Sequence, residues 1–391
     1  MKILQSIYDL TAMSGGPSTC VCDMMQGLYD INKGSSCGDE VNLLTVRPAD
    51  INTKNLGAGS EWLKEVVYDY KTPLRLSRNF RKALADSDYD LYHANTLWTD
   101  AIHSTCVHAR KVGKPYVLSP HGMLYPTALA VSHWKKAVML KLWFDEDISK
   151  ATCLHATCRK EAEHCRTYGY EGPIAVIPNA VVFPEGVEAK KLQYTDERGR
   201  RQIGFLGRLH PIKKVENVLY AIANLDKKQR ERLSFQVMGK HDQTYESWLK
   251  EEVHRLGIDD SVEFVGFVSG REKYERLSRL AALLVPSVQE NFGMIVPEAL
   301  ICGTPVYASL GTPWEELNEY DAGWRKDNDP QVIAGVLREV LTLSDEELLR
   351  KGLNGRKLME EEYEQHHVAS MMMRLYKWIL KDGEKPEFVM L

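Results

Sequence analysis

Two glutamates separated by seven residues, Glu290 and Glu298, mark the part of the chain where side-chain chemistry is most concentrated. The run is Val285-Pro286-Ser287-Val288-Gln289-Glu290-Asn291-Phe292-Gly293-Met294-Ile295-Val296-Pro297-Glu298, continuing Ala299-Leu300-Ile301-Cys302-Gly303-Thr304-Pro305-Val306. It predicts an apolar strand ending near Pro286, a loop carrying Glu290 and Gly293, and a helix with Pro297 in its first turn and Gly303 at its end. The start of such a helix aims backbone N–H groups of residues 293–296 outward, where a phosphate is favoured. Glu298, just inside the helix, can accept two vicinal hydroxyls such as those of a ribose. Glu290, one loop earlier, can reach a sugar beyond the phosphates. Either glutamate alone also fits a plain helix-start or loop carboxylate; the whole run is far more specific.

Three further sites lie after predicted strands. Arg208 and Lys213 occupy Gly207-Arg208-Leu209-His210-Pro211-Ile212-Lys213, and alone such a pair is an ordinary solvated loop. His121 follows the strand ending at Ser119, where a lone histidine is often only a packing residue. Ser14-Gly15-Gly16-Pro17 follows the first strand and lacks the spacing of a dinucleotide-binding loop, which argues against NAD or FAD. Phe267 also follows a strand and can border a base. Asp86-Ser87-Asp88-Tyr89-Asp90 contains an Asp-x-Asp pattern able to hold a metal, but it reads as a polar turn before Leu91-Tyr92-His93.

The elements that must position these residues alternate between strand and helix. Strands are predicted at 2–8, 41–46, 90–94, 115–119, 152–156 and 174–177, with helices over 18–30, 100–112 and 159–168. A second series has strands at 202–207, 234–238, 261–265, 282–285 and 304–308, with a helix from about Val215. This is the pattern of two doubly wound α/β domains in series. Ligands of such sheets bind beyond the carboxyl ends of the strands, so two facing sheets would make a central cleft. The expected division is an amino domain over 1–182, a charged surface linker over 183–200, and a second domain over 201–362. A final helical segment over 363–391, with Val368, Met371, Met372, Leu375 and Trp378 at helical spacing, is expected to pack back on the amino domain.

Composition narrows the class. The 391 residues are 44% hydrophobic and 27% charged, with a formal net charge of −4, which speaks for a globular protein and against a nucleic-acid partner. The eight cysteines form no CxxC pair and no zinc-like cluster. No apolar run approaches the length of a signal peptide or membrane span, so a cytoplasmic setting is expected. Two basic, apolar-flanked stretches stand out: Lys71 to Lys82, with Arg75, Arg78 and Arg81 and no acid between, and His133-Trp134-Lys135-Lys136 through Trp143. Each suits a solvated helix face or a surface touching anionic lipid at the inner face of the membrane.

The Glu290–Glu298 run followed by Ala-Leu-Ile-Cys-Gly-Thr-Pro-Val resembles the donor signature of family 4 (group 1) glycosyltransferases. That resemblance covers most of the chain and implies retaining enzymes of the GT-B fold using a nucleotide-diphosphate sugar. It assigns Arg208 and Lys213, with Gly207, to the donor diphosphate. It assigns Glu290, Asn291, Phe292, Gly293, Met294 and Glu298 to the donor, and Gly16 to donor phosphate or acceptor. Ser119-Pro120-His121-Gly122 is similar to the motif whose histidine lies near the transferred sugar. Ile177-Pro178-Asn179 and Gly311-Thr312-Pro313-Trp314-Glu315-Glu316 fit the same family and look most like enzymes of bacterial surface-polysaccharide assembly. The implied acceptor is a glycan or lipid-linked glycan.

Two cations that neutralise the leaving diphosphate imply that no metal cofactor is needed. Lys214 and Ala180 stand where the family usually has glycine, so the local backbone is expected to differ there. A nucleotide-sugar epimerase of the same architecture, or a non-catalytic sugar-nucleotide-binding subunit, are the alternative readings.

Overall fold

The computed structural model describes residues 1–11, 15–33, 38–47, 53–67, 76–189, 193–240 and 243–391. The chain forms two compact units: Met1–Val182 together with Tyr363–Leu391, and Phe183–Glu362.

The first unit holds β1 (Lys2–Ser6), β2 (Glu40–Val46), β3 (Leu63–Val66), β4 (Leu91–Asn95), β5 (Tyr116–Ser119), β6 (Cys153–Ala156) and β7 (Ile174–Val176). The second holds β8 (Arg201–Leu206), β9 (Leu233–Met238), β10 (Val262–Gly266), β11 (Ala282–Val285), β12 (Val306–Ser309) and β13 (Gly323–Lys326). β14 (Val389–Met390) returns to the first sheet, antiparallel to β7. The first sheet runs β14-β7-β6-β5-β4-β1-β2-β3 and the second β10-β9-β8-β11-β12-β13. Apart from β14, every pairing within these two sheets is parallel.

Both sheets are covered on both faces, which is why β4, β5, β6, β11 and β12 are buried from end to end instead of alternating. β4 carries His93 and Asn95 in such a fully buried run, an early sign that these polar groups are satisfied inside the protein. The sheet order places the topological switch between β1 and β4 in the first unit and between β8 and β11 in the second. Loops after those strands are where a doubly wound sheet opens a crevice for ligands.

The helix Gln365–Ile379 packs on the helix Gly16–Lys33, with Val368, Met372 and Leu375 facing Val21, Met25 and Leu28 in one core. Gly27 permits the contact: a Cβ there would lie 2.8 Å from Gln365 Cγ.

The stretch 183–200, expected as a surface linker, is assigned to the second unit, and part of it packs there. Tyr194 is buried in that unit's core, and Thr195 bridges Arg201 across a turn closed by Asp196 and Gly199. The charges around Tyr194 suggested exposure, but one aromatic ring is enough to anchor a short segment. Three strands were not predicted; one of them, β14, is a two-residue strand inside the segment expected to be helical. β3 is a largely uncovered edge and β13 reads Gly-Trp-Arg-Lys, so neither shows an apolar pattern.

Candidate active site

The strongest grouping lies at the switch point of the second unit. After β8 the chain passes Gly207 and Arg208, makes a single 3₁₀ turn Pro211–Lys213, and enters the helix Val215–Ala223. His210 caps that turn by accepting the Ile212 N–H at its Nδ1, 3.3 Å away. After β11 comes the loop carrying Glu290. The two loops are tied backbone to backbone, with Val288 N–H donating to Ile212 O at 2.9 Å. Residues 212 and 288 therefore move as one piece. Gly207 also lies against Gly239, at the end of β9, so closely that a Cβ on residue 239 would collide with the Gly207 carbonyl.

On this frame Lys213 forms an ion pair with Glu290, and Ser287 donates its hydroxyl to the same carboxylate oxygen at 2.6 Å. Both side chains are mostly buried, so the pair is little screened by water. Arg208 is exposed and makes no hydrogen bond or ion pair among the described residues. Gly293 sits at φ +77°, and a Cβ there would lie 3.4 Å from Glu290 Cγ, so glycine satisfies both backbone and space. The loop is braced by Trp314, whose Nε1–H donates to Phe292 O at 2.6 Å and whose ring meets Phe292 edge to face at 5.0 Å. Glu290 N–H donates to Gly311 O at 3.2 Å, and Ser309 donates its hydroxyl to Ser287 O. The Gly311–Glu316 motif thus serves as the back wall of the Glu290 loop.

Glu298 lies within the helix Ile295–Ile301 and pairs with Lys273 at 2.8 Å. Burial alone would lower the Lys273 pKa, but the Glu298 carboxylate beside it reverses the shift and raises it. Lys273 was not recognised from sequence, because its partner lies on another helix and no local motif marks it. The expected row of outward N–H groups at 293–296 is shorter than predicted. Val296 N–H is bonded to Gly293 O at 2.9 Å, because the helix entry tightens into a turn. Met294 is the N-cap of this helix, and Asn291 and Phe292 precede it in the loop. Phe267, after β10, is 72% exposed.

Lys214 corrects another expectation. It holds φ +53°, the left-handed conformation that glycine adopts at no cost, so the backbone does not avoid that conformation. Its ammonium pairs with Glu216 at 3.2 Å, a partly exposed contact. Lys214→Gly is expected to stabilise the protein by about 1 kcal/mol, the strain relieved less the small ion-pair loss. Chemical denaturation checks this; a destabilised variant would show that the Glu216 contact dominates. Ala180, at the other departure, is fully buried.

In the first unit, His121 and Gly122 follow β5 with φ +51° and +77°. A non-glycine residue holds this conformation only when its surroundings impose it. The imposing group is Glu161, buried, whose carboxylate accepts the Gly122 N–H at 2.5 Å and both the N–H and hydroxyl of Thr157. No local motif marks Glu161, which stands among other charged residues in the helix Arg159–Tyr168. His121 Nε2 lies 3.2 Å from Asn95 Oδ1. Burial, with the nearby His155, pushes the His121 pKa down to about 3, so the ring is neutral at pH 7.

Gly16 opens the helix Gly16–Lys33 with nothing near the position of a Cβ; the left-handed residue is Gly15, at φ +86°. The rest of that loop, residues 12–14, lies outside the described residues. At the switch between β1 and β4 there is a pocket of about 430 Å³, lined by Tyr8, Asp9, Ser18, Thr96, Thr99 and Met123 among others. Beside it, Thr96 and Trp98 hold φ +78° and +68°, the kind of strain that gathers at binding sites.

The Asp86–Asp90 segment acts as a turn: Asp86 ends a helix and Asp90 accepts the Lys2 N–H at 2.8 Å. Among the described residues, no three His, Cys, Asp or Glu side chains are grouped to hold a metal. Of the first basic stretch, Lys71 to Arg75 lie outside the described residues. Arg81 finds its acid across the fold, pairing with Asp100. In the second stretch the helix His133–Met139 buries no side chain. Val131, Trp134, Val138 and Leu142 are exposed between Lys135, Lys136 and Lys141. No helix among the described residues is long and apolar enough to cross a membrane.

The loops after β8 and β11 meet at the switch point of the second unit, with Lys213 against Glu290. The family described as "Glycosyl transferases group 1" matches residues 188–358, and "Glycosyl transferase 4-like domain" matches residues 15–180. The chain belongs to the group 1 glycosyltransferases. It is thus a glycosyl-transferring enzyme with two Rossmann-like domains of the GT-B type.

This glycosyltransferase is 24% identical over 343 residues to an MMP alpha-(1->4)-mannosyltransferase of Mycolicibacterium hassiacum, spanning 85% of the chain and 80% of the relative. It is 28% identical over 242 residues to a D-inositol 3-phosphate glycosyltransferase of Streptomyces bingchenggensis, spanning 56% of the chain and 51% of that relative. The chain therefore spans about half the length of this second relative. The crystal structure of Anabaena HepE in complex with UDP and glucose superposes with a TM-score of 0.71 at 18% identity, over 97% of this chain and 100% of HepE. At that identity the likeness establishes the fold.

Proposed function

We propose that this glycosyltransferase moves a sugar from a nucleoside diphosphate sugar to a glycan or lipid-linked glycan, with retention at the anomeric carbon and without a metal ion. The observation that carries the reading is the Lys213–Glu290 pair, held on two loops bonded to each other at the switch point, with exposed Arg208 following β8. HepE, similar in fold, is known in complex with UDP, which supports a nucleotide donor.

In this reading the diphosphate draws Lys213 from Glu290, with Arg208 as the second cation. Glu290 is then released to accept sugar hydroxyls, while Glu298 exchanges Lys273 for the ribose. With both carboxylates so engaged, neither serves as a nucleophile or a general base in this reading. The acceptor hydroxyl attacks the anomeric carbon on the face from which the phosphate departs. The C–O bond to phosphate breaks with its electron pair, and that phosphate oxygen takes the acceptor proton. Lys213 and Arg208 stabilise the growing charge. The pocket between β1 and β4 is the proposed seat of the acceptor, and assembly of a surface polysaccharide the proposed setting.

The test is a panel of nucleotide sugars in a thermal-shift assay, because ligands that bind the native state raise its apparent stability. The hit is then assayed for transfer with excess chelator. Transfer persisting in chelator, and an α-glycoside as the first product of an α-linked donor, are expected. Loss of activity restored by Mg²⁺ would overturn metal independence, and a β-glycoside would overturn retention.

The protein is further proposed to work in the cytoplasm, docking its His133–Trp143 segment on anionic lipid. Trp134 and Val138, one turn apart, share a helix face flanked by lysines. Vesicles containing anionic lipid should bind the protein at low salt and release it as salt rises. Trp134→Ala should weaken that binding, and equal binding to neutral vesicles would reject the idea.

A further inference from the structure

We propose that Gln5, His93, Asn95, Ser119, His155 and Tyr376 form a one-directional hydrogen-bond chain that holds His121 as its Nε2–H tautomer. Its Nδ1 is thereby left as an acceptor for a sugar hydroxyl. The six side chains come from β1, β4, β5, β6 and the carboxyl-terminal helix, and all are buried. The inference rests on the proposed sugar transfer and on the position near the transferred sugar that the family motif implies for His121.

The direction of the chain follows from its two ends. His155 Nε2 lies 2.9 Å from Ile177 O, a carbonyl that only accepts, so Nε2 carries the proton. Burial pushes the His155 pKa down to about 4, against a raising contribution from the Ile177 carbonyl, so the ring is neutral and its Nδ1 accepts. The Ser119 hydroxyl, 2.7 Å away, must then donate to it. With its one proton spent, Ser119 Oγ accepts from His93 Nε2 at 2.6 Å. His93 is held neutral by burial, with His155 and His121 nearby, so its Nδ1 accepts from the Tyr376 hydroxyl at 2.7 Å. Tyr376 in turn accepts from Gln5 Nε2 at 2.9 Å. Gln5 Oε1 accepts from Asn95 Nδ2 at 3.0 Å, and that amide also points at Ser6 O, 3.4 Å away. Asn95 therefore turns Oδ1 toward His121, and His121 Nε2 must donate.

Reversing the chain would set lone pair against lone pair at Ile177 O and at Ser6 O, two carbonyls far apart in sequence. Both ends select the same polarity, which is how tautomers and amide orientations are assigned. Among the described residues His121 has no second hydrogen bond, so Nδ1 is available to a ligand. An acceptor nitrogen recognises an O–H and disfavours a carbonyl, carboxylate or phosphate oxygen. It also has no proton to give the leaving group. The carboxyl-terminal helix thus enters the chemistry through Tyr376, a positioning residue.

The experiment is long-range ¹H–¹⁵N NMR of ligand-free protein labelled at histidine nitrogen, with His121→Gln for assignment. His93, His121 and His155 are expected as neutral Nε2–H tautomers. Tyr376→Phe and Ser119→Ala each remove a single hydroxyl and cut His121 off from the Ile177 end, leaving only the long 3.4 Å contact to Ser6 O to set the direction, so His121 is expected to become a mixture of tautomers. An Nδ1–H form of His121 in the wild type, or an unaltered Nε2–H form in both variants, would overturn the network. Both variants should also lower kcat in proportion to the share of His121 that leaves the Nε2–H form, about two-fold for an equal mixture. A mixed tautomer with unchanged kcat would overturn the role of Nδ1 while leaving sugar transfer itself standing.

Discussion

Lys213→Ala is expected to lower kcat/KM for sugar transfer at least ~100-fold, the scale of losing one strong electrostatic contact to a transition state. Two effects act together. The leaving diphosphate loses a cation that lies 19% exposed beside Glu290, where its field is little screened. Among the described residues, Glu290 in turn keeps only the Ser287 hydroxyl as a side-chain partner, so its carboxylate repels the diphosphate that Lys213 would have attracted. Lys213→Arg keeps the charge but not the point-like ammonium, and should recover only part of the rate. The measurement is steady-state transfer with the donor that the binding panel selects. A Lys213→Ala enzyme with normal turnover and normal affinity for the nucleoside diphosphate would remove the clamp from the mechanism. The double variant Lys213→Ala, Glu290→Ala completes a cycle, and its loss should be well short of the product of the two single losses.

Trp314→Ala is expected to destabilise the second unit by about 3–5 kcal/mol, the usual cost of truncating a buried aromatic ring. Trp314 is 1% exposed, and its indole N–H reaches Phe292 O at 2.6 Å. The ring stands directly behind the loop that carries Glu290 and Gly293, so the cavity opens under the proposed donor site. Donor affinity should therefore fall together with stability. Trp314→Phe separates the two contributions. It keeps most of the apolar contact and deletes the N–H, at an expected cost of about 1 kcal/mol for the lost hydrogen bond to Phe292 O. Urea denaturation and nucleotide binding measure both quantities. A stable Trp314→Ala protein with unaltered donor binding would mean that the loop stands without its back wall.

The sequence by itself determined what depends on neighbours along the chain. Alternating strands and helices, punctuated by glycine and proline, gave two doubly wound sheets, because local propensity and apolar patterning act over a few residues. The signature from Glu290 to Val306 located the loop after β11, and Gly207–Lys213 located the loop after β8. Family membership was legible for the same reason, since those loops are contiguous segments.

Tertiary structure alone decided which of these groups meet. Nothing near Glu298 announces Lys273, and nothing near Arg81 announces Asp100; each pair forms because two elements are brought side by side by the fold. Lys214 shows a residue type overruled by context, held at positive φ by the turn before it and the helix after it. Tyr194 shows a charged stretch anchored by one ring. Gln5 and Tyr376 bond across almost the whole length of the chain, and no local pattern links a glutamine in the first strand to a tyrosine in the last helix. Hydrogen-bond direction is a property of a closed set of partners, so the tautomer of His121 is settled only when all of them are in place.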